Sequence, residues 1–75
     1  MKIGKVTGKV SMKRQAECLS EAKILLVEME GNEVAALDQA GAQPGDRVLV
    51  VMSHAAGRYS METPSDAVVI AVVKE

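Results

Sequence analysis

The chain has no Phe and no Trp, and Tyr59 is its only aromatic residue. Its core must therefore be built from Val, Leu, Ile, Ala and Met. Cys18 is the only cysteine, so no disulfide can staple the chain, and a lone thiol fits a reducing compartment. His54 is the only histidine, with no second thiol near it, which predicts no metal site. A net charge of −1 implies no strongly electrostatic partner. No apolar run approaches the roughly 20 residues of a membrane helix. Met1-Lys2 runs straight into a strand pattern, which predicts no signal peptide and no membrane partner.

Catalytic chemistry is equally hard to find. A nucleophile would have to be Cys18 or a serine, the base His54, and the acid one of ten scattered carboxylates. No spacing links them. Gly41 and Gly45 lack the Lys-Ser or Lys-Thr of a phosphate loop. Five Lys/Arg with no acid in residues 1–16 make the only basic cluster. Single-strand binding also needs stacking aromatics, so no nucleic-acid partner is expected. The expectation is a chain with no enzyme activity, no catalytic residues and no cofactor.

What is present is a set of strands punctuated by turns. Residues 3–12 alternate, with Val6, Val10 and Met12 on one face and Lys5, Thr7, Lys9 and Ser11 on the other. That period of two predicts a half-buried strand, and Gly4 and Gly8 within it suggest bends. A second strand is predicted over 22–29. Gly31-Asn32 then fits a two-residue hairpin loop with Gly at its first central position, leading to a third strand over 34–38. Gln43-Pro44-Gly45-Asp46 reads as a tight turn: Pro44 presets φ and Gly45 can take φ > 0. It releases a fourth strand over 47–52. A loop of small residues, with one helical turn at 55–58, leads to a fifth strand over 67–74.

Three of these strands carry unbroken apolar runs, including Ile24-Leu25-Leu26-Val27 and Val68-Val69-Ile70-Ala71-Val72-Val73. Such strands are buried on both faces. No segment can supply a long amphipathic helix to cover the second face. One face can fill a small barrel, and the other would stay bare in a monomer as a large apolar patch. A single 75-residue domain (residues 1–75) is also marginal alone. The residues therefore predict an obligate oligomer of an all-β, five-stranded small barrel.

Four blocks carry a family resemblance. Gly4-Lys5-Val6-Thr7-Gly8-Lys9-Val10 resembles the opening strand of the EutN/CcmL family, the pentameric vertex proteins of bacterial microcompartment shells. Lys23-Ile24-Leu25-Leu26-Val27 resembles its second strand. Asp38-Gln39-Ala40-Gly41-Ala42 with Pro44-Gly45-Asp46-Arg47-Val48 resembles its most recognisable block, and 64–73 its closing segment. Gly-Asp-x-Val alone also occurs in chaperonin-10-like barrels, so a small OB-like or chaperonin-10-like binding or assembly module is the alternative. The ordered set is the stronger signal. The family's Gly-Ser-Ser-Ala-Arg-like segment has its counterpart at His54-Ala55-Ala56-Gly57-Arg58. The resemblance implies an all-β, OB-like barrel assembling as a ring: a structural protein of the cytoplasm, a homo-pentamer that caps the vertices of a microcompartment shell beside hexameric shell proteins. It further implies that His54, Ala55, Ala56 and Gly57 line a pore on the five-fold axis, with Arg58 and Asp66 at the subunit interface.

Overall fold

A computed structural model describes residues 1–19, 22–52 and 66–74. Five strands are formed: β1 (Lys2–Lys9), β2 (Ile24–Met29), β3 (Asn32–Asp38), β4 (Arg47–Met52) and β5 (Ala67–Val72). They close into a barrel in the order β1-β2-β3-β5-β4. The β3–β5 pair is parallel and the others are antiparallel. This is the all-β, OB-like barrel expected, closed by a short β3–β5 pairing at Leu37 and Asp38. The bounds of β4 agree with the sequence reading. β1 ends at Lys9 rather than residue 12, β3 begins two residues earlier, and β5 stops at Val72.

The inner face explains which residues became strands. Val6, Leu25, Val27, Met29, Ala36, Val48, Val50, Ala67 and Val69 are buried together, and Ala42 joins them from the loop after β3. Aliphatic β-branched side chains fill so narrow a barrel without needing a partner for any polar atom. Among the described glycines, Gly4 is the one with no room for a side chain. A Cβ there would lie 2.5 Å from Val27 Cγ1, 2.7 Å from Met29 Cγ and 2.9 Å from the Glu28 carbonyl oxygen.

Two loops are fixed by their own chemistry. The Gln43 carbonyl accepts from the Asp46 N–H at 3.0 Å across Pro44-Gly45, and Gly45 has φ +96°, as a type II turn requires. The turn is stitched to β1: Gly45 N–H donates to the Val6 carbonyl (2.8 Å) and Val6 N–H to the Asp46 carbonyl (2.9 Å). At the end of β3, the Asp38 carboxylate accepts from the N–H groups of Ala40, Gly41 and Ala42 at 2.9–3.4 Å. It thus ties down the segment that buries Ala42.

The β2–β3 hairpin differs from expectation. Met29 pairs with Asn32, so the loop is Glu30-Gly31, not Gly31-Asn32. Shifting the loop by one residue would set Leu25 opposite Asp38 instead of Ala36, taking that carboxylate away from the amides it caps. The observed register keeps Ala36 in the core. Both loop residues then take positive φ, 53° at Glu30 and 83° at Gly31, the I′ pattern that matches strand twist. Glu30 is strained there, since a side chain in this region costs roughly 1–2 kcal/mol. Its exposed ion pair with Lys2 (2.9 Å) offsets about 0–1 kcal/mol. Glu30→Asn, which tolerates this conformation, is expected to stabilise the protein by roughly 0.5 kcal/mol. A urea midpoint unchanged or lowered at equal protein concentration would contradict this account of the turn.

Candidate subunit interface

The inside of the barrel is filled by apolar side chains, which leaves its outside as the candidate functional surface. Side chains alternate along each strand, and residues directly opposite on neighbouring strands share a face. Val48 and Val50 point inward, so Leu49 and Val51 point outward. Leu49 is opposite Ile3 on β1 and Ala71 on β5. The three make an apolar stripe across three strands. Ile3 is 52% exposed and Val72, at the end of β5, 46%. Leu49, Ile70 and Ala71 are half-buried.

The outer apolar face is not wholly bare, contrary to the sequence reading. Leu37, Val51 and Val68 form a second buried cluster on the outer side, packed with Ala22 and Ile70. The chain therefore covers one part of its own second face, and the remainder, centred on Ile3 and Leu49, is open. The β-bulges explain why the boundary falls there. The register of β4–β5 shifts between Leu49 and Val50, bringing both Ile70 and Ala71 outward. Ile3 was legible only through parity: it opens the face that otherwise carries Lys5 and Thr7.

Of the residues assigned to sites from sequence, Asp66 is exposed immediately before β5. His54, Ala55, Ala56, Gly57 and Arg58 lie outside the described residues, as does the helical turn expected at 55–58. Among the described residues no group of three His, Cys, Asp or Glu could hold a metal ion. No helix among them is long and apolar enough to cross a membrane.

A barrel with an open apolar stripe directs comparison toward assembling proteins. The family model described as ethanolamine utilisation protein EutN/carboxysome matches residues 1–74. The chain belongs to the EutN/CcmL family. Among solved structures it is similar to an ethanolamine utilization protein, EutN, with 33% identity and a TM-score of 0.90 over 100% of this chain and 88% of that one. It is also similar to GrpN, a pentameric microcompartment shell protein from Rhodospirillum rubrum, at 30% identity and TM-score 0.84, covering 100% and 95% of the two chains. For CcmL of Nostoc sp. PCC 7120 the values are 31% and 0.83, over 97% and 88%. No curated protein sequence matches the chain. The similarity to EutN spans the whole described barrel.

Proposed function

We propose that this EutN/CcmL-family protein is a structural component of a bacterial microcompartment shell, acting in the cytoplasm as a homo-pentamer that caps shell vertices. What carries the reading is agreement of fold and family along the chain, with a relative at 30% identity that is a pentameric shell protein. The open stripe at Ile3, Leu49 and Ala71 supports it, because a ring contact would cover that stripe. The mechanism is geometric. A closed ring repeats one head-to-tail contact until it meets itself. Five-fold rings then supply the curvature that a flat layer of hexameric shell proteins lacks. The work is done by shape and burial, with no catalytic step. Within the ring, His54, Ala55, Ala56 and Gly57 would line the pore, and Arg58 and Asp66 would stand at the subunit contact.

Native mass spectrometry at low micromolar concentration is expected to show a five-subunit species with little monomer. Co-expression with hexameric shell proteins is expected to give closed shells, and omission of this chain shells open at the vertices. A well-folded monomer as the main species, or closure unaffected by omission, would sink the vertex role.

A further inference from the structure

One row around the barrel is sorted by charge. Lys5 is opposite Arg47 on β4 and opposite Glu28 on β2, and Glu28 is opposite Glu33 on β3. Reading across β4, β1, β2 and β3, the outer face therefore runs Arg47, Lys5, Glu28, Glu33. All four side chains are exposed. Like charges directly opposite one another destabilise a sheet, and this row contains two such pairs side by side. Among the described residues Lys5, Arg47 and Glu28 make no ion pair or side-chain hydrogen bond, while Glu33 accepts only from the Thr7 hydroxyl at 3.0 Å. The alternating order + − + −, which would neutralise each neighbour, is absent.

We propose that this row is the electrostatic register of the ring: the Lys5–Arg47 pair of one copy docks against the Glu28–Glu33 pair of the next. The proposal rests on the pentameric reading above and names the groups that orient it. A ring contact is heterologous, joining two different patches of the same chain. The row provides two such patches, complementary in sign and carried on separate strand pairs. The cationic pair also adjoins the open apolar stripe, since Ile3 and Leu49 are the next outward residues along β1 and β4. A two-fold contact through β1 and β4 would instead set cations against cations, so the same row disfavours dimers that could not close a ring.

Charge reversal tests this. Lys5→Glu/Arg47→Glu makes the row wholly acidic, and Glu28→Lys/Glu33→Lys makes it wholly basic. Each double variant is expected to need at least about tenfold more protein to assemble at low salt, as measured by native mass spectrometry. Circular dichroism at matched concentration checks that the barrel is intact. Mixing the two double variants is expected to give mixed-chain oligomers, because unlike chains then offer each other opposite charges; recovery is partial, since a five-membered ring cannot alternate two kinds of chain and keeps one like-charge contact. Repulsion within each chain is unchanged by mixing, so recovery locates the contact between chains. Wild-type assembly is expected to weaken with added salt. A pentameric wild type whose double variants assemble equally well, or whose folded variants form no mixed-chain oligomer on mixing, would overturn the charge match and leave the vertex role standing. A monomeric wild type would overturn both.

Discussion

Gly4→Ala is expected to cost the barrel about 3 kcal/mol, the upper part of the range for overpacking a core. Three atoms already occupy the space its methyl group would enter. Val27 Cγ1 belongs to a fully buried side chain with no room to rotate, and Met29 Cγ is the stem rather than the end of its side chain. The third atom is the Glu28 carbonyl oxygen, part of the β1–β2 ladder, which cannot move without breaking strand pairing. Gly8 is the internal control. A Cβ there would meet only Leu26 Cδ1, at 3.9 Å, an ordinary contact. Gly8→Ala should therefore be neutral, or stabilising by up to roughly 1 kcal/mol through the unfolded chain. Urea unfolding at one fixed protein concentration compares the two, since assembly contributes to apparent stability. Equal midpoints for Gly4→Ala and Gly8→Ala would mean that β1 and β2 are not so closely packed at Gly4.

The sequence made some of these features legible and hid others for physical reasons. β4 could be bounded because a turn of known chemistry, Pro44-Gly45, abuts five consecutive apolar residues. The barrel itself followed from apolar runs that had no helix to cover them. The hairpin register did not follow, because Glu30-Gly31-Asn32-Glu33 permits two loops that keep the same residues facing inward. The choice between them is made far from the turn, by Ala36 filling the core and Asp38 capping the next loop. The bulge in β1 between Val6 and Gly8 left no mark in an alternation that looked regular. Nor could local pattern reveal that Val51 and Val68 on the outer face are covered by the chain itself. The charged row is a product of register, and single-strand periodicity shows only its members. The pore and interface residues at 54–58 were named through resemblance alone and lie outside the described residues.

Val50→Asp and Ile70→Asp are expected to fail in different ways, because the two positions face opposite sides of the barrel wall. Val50 is fully buried and belongs to the inner cluster with Val6, Val48 and Val69. Among the described residues the side chains packed there are apolar and offer an aspartate no cation. An uncompensated buried charge costs roughly 3–5 kcal/mol, and the single core of a chain this short rarely supplies more than about 3–5 kcal/mol. The expected product is unfolded or insoluble chain, without strand signal in circular dichroism. Ile70 is half-buried and packs from outside on Leu37, Val51 and Val68. In a single barrel a carboxylate at that place can turn to water, so the cost should be about 1–2 kcal/mol of lost packing. In a ring it would be desolvated against the neighbouring copy. Ile70→Asp should therefore give a folded barrel that has lost its pentamer, visible as a monomer in native mass spectrometry with strand signal retained. A pentamer as robust as wild type would place the outer face of β5 in solvent and move the ring contact elsewhere on the barrel, while a folded Val50→Asp would mean that the closed core is wrongly drawn.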